Sequence, residues 1–360
     1  MSSVGWLRRQ AVGWALPRRG GALGQVLAEL EFVQADPIQA PARAQDLILR
    51  HRVTGYRAGD LERRYPSLDI DEDYLYAYGF AARRLRPLLH PRRRRRTDEE
   101  YWVPAGLAAD LLAFVRERGV VHPRDAMAEF GHRQATNGWG GVSSATTMEL
   151  DRLHHYGLLR VADRAGGTRR YVAAEPLGDP LDPADRVRAL VLRVARTLAP
   201  ATEATLSMAV GQLVMWANVP GGQPGGRWVI RDLLARGELT AADVGGTRYV
   251  WPADLVPVEG EAPARVRFLA PFDPVVWDRR RFGQLWGWDY RFEAYTPAAK
   301  RVMGYYAMPL LWRDRVIGWV NCTGSGGVEV GYAGAAPRGQ AYAAALDAEI
   351  ARLRRFLGLG

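Results

Sequence analysis

The sequence predicts an α+β protein, mostly helical, and three observations carry that prediction. A segment recurs: Gly157 to Val172 reads as strand, Gly-Gly turn and strand, and Gly237 to Val250 reads the same way around its own Gly-Gly-Thr-Arg turn. Each copy follows stretches whose apolar residues recur at helical spacing. From Glu259 the character changes to short β-prone runs broken by turn residues, closed by one more helical pattern. An internal repeat of this kind marks a duplicated supersecondary unit. Helix, helix and then a β-hairpin with glycine at its turn is the outline of a winged helix, a helix-turn-helix relative. The expectation is therefore tandem winged-helix modules followed by a C-terminal α/β module.

The first segment, 1–96, is expected to be helical. Val4 to Leu16 keeps a helical pattern up to the Pro17-Arg18-Arg19-Gly20-Gly21 break, and Leu23, Leu27 and Leu30 line one face of a second helix. Ala44 to Val53 is again helical in pattern, with Leu47, Ile48 and His51 suitably spaced, and Leu61 to Tyr65 suits a short helix. Tyr74, Tyr76 and Tyr78 fall close together, a spacing that points to packing, with the wall of a base-sized pocket as the other use. Arg92 to Arg96, after His90-Pro91, reads as a solvated linker, with phosphate contact as a second reading.

The next two segments hold the repeat. In 97–176 the helices are expected at Ala105 to Arg118, Pro123 to Phe130 and Ser144 to Tyr156; in 177–258 they are expected at Pro183 to Leu198, Thr202 to Met208 and Val229 to Arg236. Both hairpin turns carry arginine just after the glycines, Arg169 and Arg170 in one and Arg248 in the other. Winged helices also serve as scaffolds and dimerisation modules, but two of them in a basic chain favour DNA. In 259–360, a candidate third winged-helix-like unit, Arg265 to Pro274 opens strands and turns. Trp277 to Phe282 then sets Arg279, Arg280 and Arg281 beside aromatics. Tyr305 to Trp312 and Arg315 to Val320 resemble a hairpin about Arg313-Asp314, and Gln340 to Phe356 is the last helix.

Composition narrows the partners. There are 49 basic against 39 acidic side chains, a formal charge of +10, and Lys300 is the only lysine. A GC-rich coding sequence alone favours arginine over lysine, yet the excess charge still calls for a partner or solvent, and nucleic acid is the commonest such partner. The lone Cys322 excludes an internal disulfide and a Cys-rich zinc site. Lys300 follows Ala-Ala rather than a glycine pattern, which excludes a P-loop, and neither a His-Glu-x-x-His helix nor a nucleophile-elbow serine occurs. His154 and His155 are adjacent rather than at ligand spacing and read as helix-surface residues. No metal and no cofactor are expected. Arg8, Arg9, Arg18 and Arg19 interrupt the N-terminal apolar pattern, and no run of about 18 apolar residues occurs. A cytoplasmic, nucleoid-associated monomer without a membrane partner is expected.

The chemistry-bearing stretch is Phe32 to Arg43. Pro37 pushes Asp36 towards an extended conformation. In an extended segment residues i and i+2 point the same way, so Gln34 and Asp36 can present an amide and a carboxylate together. Arg43, Arg50 and Arg52 supply nearby positive charge. Turn hydrogen bonding and helix capping are the bland uses of the same two residue types.

These residues resemble a known family. Phe32-Val33-Gln34-Ala35-Asp36-Pro37-Ile38 with Ala42-Arg43-Ala44 looks like the hallmark of the tandem winged-helix DNA glycosylases, the AlkZ/YcaQ-like proteins. So do Phe272 to Arg281, Trp288 to Glu293 and Lys300 to Tyr306, the more specific block, and the resemblance covers nearly the whole chain. It implies three tandem winged-helix motifs, double-stranded DNA as the partner, and monofunctional excision of alkylated bases, in some members with unhooking of interstrand crosslinks. The family's catalytic Gln-hydrophobic-Gln or Gln-hydrophobic-Asp motif maps onto Gln34 and Asp36, the Asp-bearing subtype. Relatives usually carry histidines where this chain has Gln45-Asp46, and an aromatic pair followed by histidine where it has Tyr74-Leu75-Tyr76.

The implied chemistry suits the residues. Base excision breaks an N-glycosidic bond through an oxocarbenium-like sugar, much as glycoside hydrolysis does. One carboxylate can stabilise that cation and deprotonate water, and an amide can hold the same water. Glycosylases that also nick the backbone attack the sugar with an amine. Lys300 lies far along the chain from Gln34 and Asp36, and the N-terminal amine is the other candidate, so no lyase activity is expected. In this reading Arg43, Arg50, Arg52, Arg169, Arg170, Arg248, Arg279, Arg280 and Arg281 hold phosphates. The alternative is a non-catalytic winged-helix protein, a regulator or architectural DNA binder.

Overall fold

Ser3 starts the first helix. Its hydroxyl accepts the Trp6 N–H at 3.1 Å, which satisfies one of the orphan donors at a helix start. The computed structural model of the chain describes residues 3–17, 20–93, 100–131, 134–136, 142–217, 226–322 and 326–359. Helix α1 (Val4–Ala15) is followed by α2 (Leu23–Leu30), the short strand β1 (Phe32–Gln34) and α3 (Ala44–Leu49). The expected helix Ala44 to Val53 is shorter than its pattern. The N–H groups of Arg52 and Val53 both turn back to the Leu49 carbonyl, and Gly21 bridges to Val53. Arg18, Arg19 and Arg94 to Arg96 lie outside the described residues.

The chain divides into two compact units, one comprising Met1–Leu61, Val191–Gly211 and Pro224–Gly360, the other Glu62–Leu190 and Gln212–Gln223. The division falls within the helices Pro183–Thr197 and Glu203–Ala217.

The core of the first unit joins the beginning of the chain to its end. Leu7, Ala11 and Val12 on α1, with Leu16 beyond its end, pack with Val275, Val276, Phe282, Leu285 and Tyr290. Fully burying a Leu, Val or Phe stabilises by about 1.5–3 kcal/mol. Trp6 and Trp14 extend this core onto Trp251, with ring centroids 5.6 and 6.1 Å away. The repeat copy in this unit has the helix Gly226–Ala235 followed by the hairpin Leu239–Val244/Thr247–Pro252, with Ala201–Thr202 pairing on its outer side. The C-terminal segment forms a four-stranded antiparallel sheet in chain order, Val266–Phe268, Met308–Trp312, Arg315–Cys322 and Val328–Tyr332. Its middle hairpin turns at Arg313-Asp314 as expected, with Arg313 at a left-handed φ of 56°. The last helix, Gln340–Leu357, packs on the strand Val266–Phe268.

The second unit holds the other copy. The helices Leu107–Arg118, Pro123–Phe130 and Ala145–His155 precede the hairpin Leu159–Ala165/Thr168–Ala173, within two residues of the expected bounds. The Gly166-Gly167 turn takes φ of 55° and 80°, a region that an L side chain rarely adopts. The tyrosine cluster is a hairpin: Ile70–Tyr74 pairs with Tyr78–Ala82, Tyr74 sits opposite Tyr78 with centroids 4.9 Å apart, and Tyr76 is buried. That supports packing rather than a pocket wall.

The structure corrects two expectations in this unit. Arg92 is not part of a solvated run: its guanidinium donates to Asp73 Oδ1 at 2.7 Å and to the His155 carbonyl at 2.8 Å, and it is fully buried. His154 is not a surface residue either, since its Nε2 bonds the Glu72 carbonyl at 2.7 Å in a buried position. Both departures have one cause. The strand Ile70–Tyr74 brings buried polar groups, Glu72 and Asp73, that need donors, and buried polar groups are rarely left unpaired.

Candidate active site

β1 ends at Gln34, and the chain continues through Ala35 and Asp36 into the loop before α3. The Asp36 carboxylate does make the local bond its residue type favours: Oδ1 accepts the Ile38 N–H at 2.9 Å, an Asx-type turn. That uses one oxygen. Burial raises the Asp36 pKa above its ordinary value, and the Ile38 bond offsets only part of the rise. Gln34 is half-buried, and its side-chain carbonyl oxygen is buried without a hydrogen-bond partner among the described residues.

The backbone of Asp36 is held from α3. Its N–H donates to Gln45 Oε1 at 3.3 Å, and Gln45 is buried in the first turn of α3. The next residue, Asp46, is also buried and accepts the Tyr56 hydroxyl at 2.6 Å. Burial raises the Asp46 pKa, opposed by the Tyr56 bond and the charge of Arg43. The Gln45-Asp46 pair therefore fixes the loop on one side and Tyr56 on the other.

A residue from the C-terminal segment is coupled to Asp36 through its charge. Tyr306 is buried, and its hydroxyl has no hydrogen-bond partner among the described residues. Burial raises its pKa far above that of free tyrosine, and the Asp36 charge acts in the same direction, so the hydroxyl keeps its proton and remains a hydrogen-bond donor. Its position is set by a clamped loop. Glu293, itself buried, accepts the N–H groups of Val302 at 2.8 Å, Met303 at 2.7 Å and Gly304 at 3.3 Å through one oxygen. Gly304 adopts φ 115° against the Asn321 amide, where a Cβ would lie 2.5 Å from Asn321 Oδ1, so glycine is required. Phe292 packs edge-on to the Tyr306 ring at 5.4 Å. Neither Gln45 nor Tyr306 was singled out from sequence as a site residue. The signal for Tyr306 was present in the Glu293, Gly304 and Tyr306 spacing, but only the fold brings that segment to Asp36.

The nine arginines expected at phosphates divide sharply. Arg52 is buried, with a bidentate pair to Asp273 at 2.7 and 3.0 Å and further bonds to the Ala15 and Ile48 carbonyls. Arg281 is buried and donates to the carbonyls of Ala199, Pro200 and Val275. Arg279 donates to the Val276 and Pro271 carbonyls and lies over the Tyr290 ring at 4.4 Å. Arg50 is held by the buried Glu349 and the Phe268 carbonyl. In Arg52, Arg281 and Arg279 the donors are turned inward to buried acceptors, and Arg50 is held in the same way through its Nη2. Arg169 pairs with Glu72 and Asp151, Arg170 with Asp163, and Arg248 with Glu203 at 3.3 Å. Arg43 sits half-buried at the N-cap of α3. Arg280 alone of the nine is exposed with no ion pair among the described residues. Lys300 is exposed at the end of the short 3-10 turn Ala298–Lys300. Among the described residues, no helix is long and apolar enough to cross a membrane.

The chain is similar to known proteins in sequence pattern and in fold. The family model described as DNA glycosylase AlkZ-like matches residues 27–356. Among solved structures, the Streptomyces sahachiroi DNA glycosylase AlkZ superposes with a TM-score of 0.64 at 15% identity, covering 99% of this chain and 97% of that one. At that identity the likeness is one of fold.

Proposed function

Because the chain belongs to the AlkZ-like DNA glycosylase family, we propose that it is a monofunctional glycosylase hydrolysing the N-glycosidic bond of alkylated bases in duplex DNA. The observation that carries this reading is the half-buried Asp36 carboxylate, its pKa raised by desolvation, two residues from Gln34, whose buried Oε1 has no partner among the described residues; the Tyr306 hydroxyl, also without a partner among them, feels the Asp36 charge. A carboxylate that only stabilised a turn would not need them.

N7- and N3-alkylated purines are cationic leaving groups, so the bond to C1′ breaks with its electron pair neutralising the base, and no general acid is required. Asp36 stabilises the cation left on the sugar and takes a proton from the attacking water as its oxygen bonds C1′. The raised pKa makes Asp36 a stronger base. Gln34 Oε1 accepts from the same water and Tyr306 donates to it or to the carboxylate, which orients the attack. The two helix–hairpin modules act as winged helices on DNA, with Arg170, Arg248 and above all exposed Arg280 available to phosphates. The only lysine is exposed in a separate turn, which supports hydrolysis without strand nicking.

The test is a duplex carrying N7-alkylguanine, with abasic sites revealed by alkali. Base release by the native protein, and loss of release in Asp36→Asn and Gln34→Ala, supports the enzyme. A crosslinked duplex in the same panel reads whether adducts joined to both strands are substrates. Binding without release under single-turnover conditions, across several lesions, would instead make the chain a DNA-binding protein without catalysis.

A further inference from the structure

A cavity at the far end of α3 carries more positive charge than its own acid balances. It measures about 430 Å3, and its lining includes Arg50, Arg57, Arg265, Arg352 and Arg355 with Glu349 as the sole carboxylate among the described residues. Five arginines against one acid leave four positive charges in excess. His51, also in the lining, is buried against the Phe268 carbonyl with its pKa well below the usual value, so it stays neutral. Glu349 is fully buried and already committed: it accepts Arg50, the Phe268 N–H at 3.2 Å and Arg352 Nε at 2.9 Å.

Arg352 also donates through Nη2 to the Val266 carbonyl at 3.3 Å, which leaves its Nη1 for a ligand. Two other donors of the lining, Nε of Arg265 and Nε of Arg50, are buried and meet no hydrogen-bond acceptor among the described residues. Desolvation lowers the Arg265 pKa, and the neighbouring Arg352 and Arg50 charges lower it further, with Glu349 offsetting only part of the fall, so like charges are crowded here. Guanidinium groups are planar forks that match the oxygens of a phosphate, and charge-assisted bonds of this kind are about twice as strong as neutral ones.

We propose that this cavity is a phosphate-binding site, in which Arg265 and Arg352 grip the anion and Arg57 and Arg355 close its mouth. The proposal rests on the cavity and not on base excision. Two sources share the chemistry, a backbone phosphate of DNA and a free phosphorylated small molecule. α3 links the cavity to the candidate active site: Gln45 near its start holds Asp36, and Arg50 and His51 follow its end. Six residues of helix span roughly 9 Å, so a strand lying on both would place the gripped phosphate about three nucleotides from the reacting sugar, at roughly 3.4 Å of rise each.

Two double variants test this, R265Q/R352Q and R57Q/R355Q, the second on exposed side chains whose loss leaves the core intact. Each is titrated with inorganic pyrophosphate by calorimetry and with duplex DNA across 50–200 mM salt. A wild-type pyrophosphate affinity that falls at least tenfold in the variants supports a free phosphorylated ligand. No pyrophosphate binding, but a log K against log salt slope shallower by about 1 for each arginine–phosphate pair removed, supports a DNA phosphate. If both variants melt like the native protein and match it in both titrations, the proposal is overturned. Should R265Q/R352Q fail to fold, R57Q/R355Q decides alone by the same criteria.

Discussion

The side-chain carbonyl of Gln45 accepts the backbone N–H of Asp36 at 3.3 Å, so the residue beside the proposed chemistry is oriented from the first turn of a different element. This is where the family resemblance sets histidine, and the amide here does a job that an imidazole nitrogen can also do. Gln45→Ala is expected to lower single-turnover base release about tenfold, equivalent to about 1.4 kcal/mol of barrier, while costing only about 0.5–1.5 kcal/mol of stability. Gln45→Glu adds a like charge and should raise the Asp36 pKa further, moving the acid limb of the rate profile to higher pH. Unchanged release in both variants would show that the bond has no catalytic consequence.

Asp36 should trade stability for reactivity. Desolvation raises its folded-state pKa above the ordinary 3.8. The folded state then holds that proton more tightly than the unfolded chain, and stability falls as pH rises through the window that begins at the ordinary value. At pH 7 the ionised carboxylate is therefore a cost to the fold. Asparagine removes the charge and keeps an oxygen for the Ile38 N–H. Asp36→Asn is expected to melt at the same or a higher temperature at pH 7, with the advantage vanishing at pH below about 3.8, and to lose roughly 10²–10⁴ in rate. The native enzyme should lose activity on acidification at a pH above that of an ordinary aspartate. A variant that melts lower than the native protein at pH 7 contradicts the assignment.

Tyr306→Phe separates a catalytic hydroxyl from a structural one. A buried hydroxyl left without a partner costs about 1–3 kcal/mol, and the Tyr306 hydroxyl has none among the described residues. Removing it should leave stability unchanged or raise it by up to about 1 kcal/mol, while base release falls. Thermal melts and single-turnover rates measured together distinguish the cases, since a hydroxyl that serves only the fold would lower the melting temperature and leave the rate alone.

Much of the architecture was legible because it is local. The two Gly-Gly hairpins stand where their repeat put them, with all four glycines at positive φ, and the helices before them fall near their expected bounds, except that the helix expected at Thr202 to Met208 spans Glu203–Ala217. The roles of individual arginines were not legible, because Arg52, Arg280 and Arg281 carry the same side chain. What separates them is a carboxylate 221 residues away for Arg52 and two carbonyls more than 80 residues away for Arg281. The specific C-terminal block turns out to be rich in such internal fasteners. Asp273 holds Arg52, Arg281 holds the chain at Ala199-Pro200, and Glu293 clamps the loop that presents Tyr306. Gln34 and Asp36 could be found by spacing, whereas Gln45 and Tyr306 needed the packing of α3 and that loop.

The same distinction yields a paired prediction for Arg52 and Arg280. Breaking a buried ion pair strands the other charge and costs about 3–5 kcal/mol. Arg52→Ala would leave the Asp273 carboxylate buried with, among the described residues, only the Val275 N–H at 3.0 Å donating to it. Urea denaturation should therefore show a loss of that size, and any fall in DNA affinity should track the unfolded fraction with no change in salt slope. Arg280 is exposed and unpaired among the described residues, so Arg280→Ala should denature like the native protein. If Arg280 meets a phosphate, its removal weakens duplex binding alike on all sequences and makes the log K against log salt slope shallower by about 1. The reverse pattern, a salt-slope change in Arg52→Ala and a stability loss in Arg280→Ala, would require the buried pair to open on DNA and would overturn the division of arginines drawn from their burial.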